Sequence, residues 1–438
     1  MSFTKLTLSN GLLVLLKEIH SAPIISHWIW YRVGSRDETP GVTGVSHWVE
    51  HMQFKGTALF PAGVLDKAIA RDGGFWNAFT YLDWTTYFET MPADKIDLAV
   101  QLEADRMLNC RYRAADVRSE RSVIIAERQG SENEPLFRLN EEMQAAAFRV
   151  HPYHHETVGD MADLQRIQRR DLINHYRRYY IPNNAVLSVA GDFETRAMLE
   201  KIRRCFEDIP ARPAPKRLER PEPEQSGERR LTVEGPGETC YVQLDYHAPA
   251  GKHPDFFPFM VLDSLLSGPT SLNLFGSGVS NKTSRLYRAL VETDLAIGIS
   301  GGQVATVDPF LYTLIMTVHP NSSAQACIQA TDEAIKRLQD APPPVDEVRR
   351  AVKQARALFA YGSESITNQG YWLGFAEMFD CYDWFTNYLD RLAAVTPQEV
   401  QRVAQTYLKP QNRLVGVYLP QGSGKTPPGA NNPPEEEE

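Results

Sequence analysis

Apolar and polar positions alternate from the start of the chain. Residues 6–16 read as two short strands around Asn10-Gly11, a dipeptide suited to a tight hairpin turn. Residues 24–33 are β-branched and aromatic and predict a central strand. Glycines at 41 and 44 end that pattern, and a helix follows through His47 and His51. A short helix is expected at 64–71. Gly73-Gly74 then opens a strand at 75–81, whose hairpin partner spans 84–90. Helical periodicity marks 93–108, 114–131, 140–148, 170–180 and 198–206, with a strand at 184–191.

The rhythm breaks at 211–228, where Pro213, Pro215, Pro221 and Pro223 stand among alternating charges. That composition predicts an extended, semi-rigid linker. The same order of elements then recurs: strands at 231–233 and 239–246, helices at 253–266 and 283–291, and two further strands. Helices at 324–338, 345–359, 369–378 and 397–407 and a last strand at 413–419 complete it. Short echoes join the halves: Tyr180-Ile181-Pro182-Asn183-Asn184 against Leu408-Lys409-Pro410-Gln411-Asn412, and Asp116-Val117-Arg118 against Glu347-Val348-Arg349. The expectation is a duplicated α+β unit. The expected divisions are 1–212, a linker at 213–229, 230–420, and a disordered Pro/Gly/Asn/Glu tail at 421–438. When the long helices are aligned, Ala351 falls opposite Glu120 and Leu358 opposite Glu127. Charge at those positions in one copy only points to a site in the first half.

Composition narrows the function. The 438 residues are 42% hydrophobic and carry a formal net charge of −9. An acidic chain without a basic stripe argues against nucleic acid as a partner. Five scattered cysteines with no C-x-x-C pair imply neither a disulfide frame nor a structural zinc site. No apolar run approaches the length of a membrane span, and Met1-Ser2-Phe3-Thr4-Lys5 shows no basic n-region followed by an apolar h-region. The expectation is a soluble protein, cytoplasmic as written, or periplasmic if a signal peptide has been removed. Two glycine-bearing stretches add little: 422–426 lacks the first glycine of a P-loop, and 268–278 reads equally as hinge, lid or surface loop.

The chemistry concentrates in His47-Trp48-Val49-Glu50-His51. Histidines four apart stack on one helix face and can grip one metal ion. Glu50 reaches the same opening without being a ligand. Neutral imidazoles on zinc beside a carboxylate base are the outline of a zinc hydrolase, and the order H-x-x-E-H is the inverted zincin motif. Zinc then needs a third protein ligand. Glu127 and Glu120, two turns apart on one face of the 114–131 helix, are the carboxylate candidates. His20, His27, His151, His154 and His155 are the rivals, and the residues alone leave the choice open.

His-x-x-Glu-His-Met-x-Phe-Lys-Gly-Thr resembles the zinc peptidases related to pitrilysin, insulin-degrading enzyme and the mitochondrial processing peptidase. The resemblance runs on through Gly34-Ser35-Arg36-Asp37-Glu38, Asn77-Ala78-Phe79-Thr80, Glu120 to Glu127, His151-Pro152-Tyr153 and Tyr180 to Asn184. It implies two α/β-sandwich domains, each a mainly antiparallel sheet packed with helices. It also implies one Zn2+ on His47, His51 and Glu127, Glu50 as catalytic base, and Glu120 as a supporting catalytic-site carboxylate. Asn77, Ala78, Phe79 and Thr80 become the peptide-binding strand. The expected function is a zinc metalloendopeptidase acting on peptides or unfolded segments inside a chamber of paired chains; the alternative is a non-catalytic structural or peptide-binding subunit. One departure stands out. The resemblance places an Arg and a Tyr in the second half where this chain has Val291 and Ile297 or Gly298. A homologous partner carrying that pair is therefore expected, making a heterodimer.

Overall fold

The strands gather into two sheets built to one plan. The computed structural model describes residues 3–273 and 280–421. The first half contributes β1 (Thr4–Thr7), β2 (Leu13–Glu18), β3 (Ile24–Tyr31), β4 (Phe75–Thr80), β5 (Thr85–Pro92) and β6 (Ala185–Gly191). Their order is β1-β2-β6-β3-β5-β4, antiparallel except for β2 beside β6. The second half contributes β7 (Arg229–Pro236), β8 (Tyr241–Ala248), β9 (Ala296–Gln303), β10 (Phe310–Val318) and β11 (Arg413–Gln421). Their order is β7-β11-β8-β10-β9, again with one parallel pair, β7 beside β11. Setting β1 aside, the two sheets match strand for strand. The class is α+β, with two similar units.

The helices of the first half are α1 (Val45–Met52), α2 (Leu65–Arg71), α3 (Ile96–Asn109), α4 (Ala114–Ser131), α5 (Pro135–Ala147), α6 (Met161–Leu164), α7 (Arg169–Tyr179) and α8 (Thr195–Phe206). Those of the second are α9 (Phe256–Leu266), α10 (Ala324–Asp340), α11 (Val345–Tyr361), α12 (Ile366–Phe379), α13 (Tyr382–Thr386), α14 (Tyr388–Ala394) and α15 (Pro397–Tyr407). The expected helix at 283–291 is a single π turn, Tyr287–Val291. Gln421 closes β11. The rest of the tail, with 422–426, and part of the 268–278 loop lie outside the described residues. Among the described residues no helix is long and apolar enough to cross a membrane.

Each half lends one helix to the other. α12 covers the outer face of the first sheet, against β3 and β6. It is buried nearly all round, as its lack of a polar face requires. Gly370 and Gly374, one turn apart, make the groove: a Cβ at Gly374 would sit 2.0 Å from Trp30 Nε1, and one at Gly370 2.6 Å from Trp28 Cδ1. Trp28 and Trp30 are fully buried there, stacked 5.5 Å apart. Such burial is worth on the order of 4–6 kcal/mol per ring as an upper bound. In return α5 lies on β7, β8 and β11. Its Leu139 and Met143 join Leu311, Leu414 and Tyr418 in a shared core.

A polar latch also spans the halves. Arg36 donates to Asp83 (3.0 Å) and to Asp308 (2.5 Å). Tyr153 OH donates to Asp83 at 2.8 Å, and His151 Nε2 lies 3.2 Å from Asp308. The motifs around Arg36 and His151 thus hold the second half against the first.

Candidate metal centre

α1 starts abruptly at Gly44, whose φ of +84° is left-handed. A side chain there would also meet Val158 O at 2.4 Å, so only glycine fits. Glu38 caps the helix, accepting from Gly44 N and Ser46 N, both at 2.7 Å. His155 Nε2 lies 2.9 Å from the same carboxylate. The histidine that supports this cap escapes sequence reading because it lies 117 residues from Glu38; the motif Gly34-Ser35-Arg36-Asp37-Glu38 is the only trace.

The helix turns Trp48, Val49 and Met52 into the first core and presents His47 and His51 on the other side, ring centroids 4.6 Å apart. α4 crosses in front of them. Its buried stripe of Val117, Glu120, Ile124 and Arg128 fixes its rotation. Arg121, stacked 4.9 Å over Trp48 and bonded to the carbonyls of Leu164 and Ile167, fixes its position. Arg128 is tied to Glu132 and Glu141. Glu127 is left facing the histidines: its carboxylate oxygens lie 3.7 Å from His47 Nε2 and 3.6 Å from His51 Nε2.

Among the described residues His47, His51 and Glu127 are the one group of three metal-ligating side chains whose donor atoms lie within 4.8 Å of one another. The separations are too long for hydrogen bonds. They are close to the ~3.3 Å that separates neighbouring donors on a tetrahedral zinc. Burial, with His51 beside it, pushes His47 down to about 3, so its imidazole is neutral, as a ligand must be. The donor set of two imidazoles and one carboxylate suits zinc.

The surroundings hold this set in place. Glu120 is buried and meets His51 Nδ1 at 2.9 Å, with Lys55 on its other oxygen. Burial would raise the Glu120 carboxyl, but the bonds from His51 and Lys55 outweigh it and hold it below its ordinary value. Burial likewise pulls His51 down, and Glu120, Glu50 and Glu127 together overcome it. Glu50, 8% exposed, is pushed up to about 7 by burial, against a 2.7 Å bond donated by Thr80 Oγ1.

The predicted peptide-binding residues lie on β4, the edge strand beside α1. Asn77 is exposed and its Oδ1 accepts from Ala78 N at 2.8 Å; Ala78 is buried, and Phe79 and Thr80 are half-buried. The rival histidines lie elsewhere: His20 on Asp192, His27 on Glu89, His154 on the His151 carbonyl, and His151 and His155 in the latch and the cap. In the second half, Val291 is half-buried at the end of the π turn. Ile297, 58% exposed, stands on the edge strand β9 with Gly298 beside it.

The chain matches two family models: insulinase, peptidase family M16, over residues 13–161, and the peptidase M16 inactive domain over 166–355. It is 30% identical to the zinc protease PqqE of Helicobacter pylori over 413 residues, covering 92% of this chain and 89% of that one. The chain belongs to peptidase family M16. Its likeness to the mitochondrial-processing peptidase subunit beta of Lentinula edodes is 25% over 416 residues, covering 93% and 88%. In three dimensions it resembles a protease from Helicobacter pylori with a TM-score of 0.89 and 27% identity, over 96% of this chain and 99% of the other. This M16 chain thus carries the donor set in the half matched by the insulinase model. Val291 and Ile297 fall in the half matched by the inactive-domain model.

Proposed function

We propose that this chain is the zinc-bearing subunit of an endopeptidase that cuts peptides or unfolded polypeptide segments. One observation carries the reading: His47, His51 and Glu127 converge within 4.8 Å while Glu50 stands on the same helix as the two histidines. Residues 1–212 form its metal-bearing domain, and 230–420 a homologous domain without ligands, joined by the 213–229 segment. When bound, zinc supplies the Lewis acidity that amide hydrolysis requires. Glu50 takes the proton from the attacking water and returns it to the leaving amine. Glu120 keeps Nδ1 of His51 engaged and so turns Nε2 toward Glu127. The open edge of β4 pairs with an extended peptide through Asn77 to Thr80, binding by backbone rather than by sequence.

Val291 and Ile297 leave the second half without the Arg and Tyr that the family resemblance places there. A homologous partner supplies them, in a heterodimer whose four domains enclose the substrate. The test is cleavage of an unfolded fluorogenic peptide by the zinc-loaded chain with that partner, against chain alone. Turnover that needs both, stops on chelation and returns with zinc supports the reading. Full-rate cleavage by the chain alone would remove the partner requirement. A metal-loaded pair that leaves every peptide intact would favour the second reading, a non-catalytic subunit.

A further inference from the structure

Asp308 lies in the turn between β9 and β10, in the half without metal ligands. Two donors from the first half meet on its Oδ2: Arg36 Nη2 at 2.5 Å and His151 Nε2 at 3.2 Å. The bond to His151, with Arg36 beside it, holds the carboxyl down at about 2, so it stays ionised. The backbone joins in: Asp308 N donates to Tyr153 OH at 3.3 Å, and Val307 N to Asp83 at 2.9 Å. Each side-chain donor belongs to a short, braced segment. Arg36 sits on the single turn Ser35–Asp37, where Ser35 N and Arg36 N bond to the carbonyls of Tyr81 and Leu82. His151 opens the segment 151–155, which Gln144 of α5 pins through the carbonyls of Tyr153 and His155.

The far ends of the same two segments grip the metal helix. Glu38, just beyond the Arg36 turn, accepts from Gly44 N and Ser46 N. His155, at the other end of 151–155, lies 2.9 Å from that carboxylate. Both side chains are buried, and Ser46 is the chain neighbour of His47. α1 has only eight residues, too few to hold a shape by its own hydrogen bonds. Its pose depends on what grips its ends. Ligands must be held to within about 0.5 Å, and close-packed interiors pass small displacements on. A latch that merely joined the halves would be redundant, because α12 already buries Trp28 and Trp30 against Gly370 and Gly374. Nor would such a latch need both of its segments to end on one helix cap.

We propose that Asp308 is a positioning residue for the metal centre. It sets the two segments, and through Glu38 and His155 they set the first turn of α1, which carries His47. The half without ligands thus shapes the site without donating a group to it. This rests on the metal reading of His47, His51 and Glu127, and metal binding rather than peptide turnover tests it.

The whole chain and its variants are compared in two ways. Dye competition reads zinc affinity, and the visible spectrum of bound Co2+ reads the geometry of the donors. Asp308→Ala changes a side chain that is 38% exposed and is expected to fold. It should weaken zinc about 2- to 30-fold and shift the Co2+ bands. His155→Leu should do the same, and His155→Gln, which still offers Glu38 an N–H, should restore parental values. Because both residues act through one clamp, Asp308→Ala added to His155→Leu should cost less than it does alone. A loss of urea stability with zinc affinity and Co2+ bands unchanged would make Asp308 a plain contact between the halves and overturn the proposal. Additive losses would place its effect outside the clamp and overturn it as well. A parent chain that takes up neither metal would instead strike the metal reading itself, and the proposal with it.

Discussion

Glu120 holds His51: its Oε1 lies 2.9 Å from Nδ1, which turns the opposite nitrogen, Nε2, toward Glu127. Replacing a carboxylate that orients a metal-bound imidazole typically costs 10- to 100-fold in affinity. Glu120→Gln should therefore weaken zinc by about 10- to 100-fold with secondary structure intact. Competition against a zinc-sensitive dye measures it; an unchanged affinity would reduce Glu120 to a partner of Lys55.

Thr80 reaches from β4 to Glu50 with a 2.7 Å bond. Thr80→Val keeps the shape and removes the donor. Loss of one hydrogen bond to a charged group predicts a fall in kcat/KM of about tenfold, with zinc content unchanged. Steady-state kinetics on the assembled enzyme, paired with metal analysis, checks both halves of that statement.

Gly374 presses against Trp30 across the boundary between the halves, where a Cβ would lie 2.0 Å from Nε1. Gly374→Ala must push α12 off the first sheet or displace the tryptophan. The expected loss is about 1–3 kcal/mol, read from urea unfolding, together with a change in tryptophan fluorescence.

His175 is buried without a partner for Nε2 among the described residues, and burial, aided by Arg178, pushes it down to about 3. Unfolded, it takes a proton near its ordinary 6.5. Between those values the unfolded chain holds one more proton than the folded one, so this residue's contribution falls as pH drops from 6.5 toward 3. The loss approaches ~1.4 kcal/mol per pH unit. Asp245 and Asp263, which burial pushes up to about 6, act in the opposite direction below that pH. His175→Gln should therefore flatten the acid side of the stability profile by about one proton, whatever it does to the maximum. A slope equal to the parent's would show that His175 charges freely in the fold.

The metal helix was legible because its chemistry is local: two histidines and a glutamate within five residues leave few alternatives. From its chemistry alone Glu127 was legible only as one of two carboxylates on α4, and it took the family resemblance to single it out. What separates it from Glu120 is helix rotation, set by Arg121 on Trp48 and by Ile124 in the core, and no sequence spacing encodes that. The repeated strand order showed in turn residues and short echoes. The exchange of α5 and α12 did not, since α12 shows only that it is buried, not against which sheet. Gly370 and Gly374 were its one signal, and they acquire meaning only once Trp28 and Trp30 face them. The Glu38–His155 cap and its tie to Asp308 were hidden for the same reason: each joins residues far apart in the chain.

Glu50→Gln gives the most direct test. The variant keeps the size of the side chain and can still accept from Thr80, but it can no longer take a proton from water. With zinc bound at the parental level and the partner present, peptide turnover should fall by at least about a thousandfold. Turnover within a few-fold of the parent, with zinc in place, would contradict the assignment of Glu50 as the base and with it the reading of this helix as a hydrolytic centre.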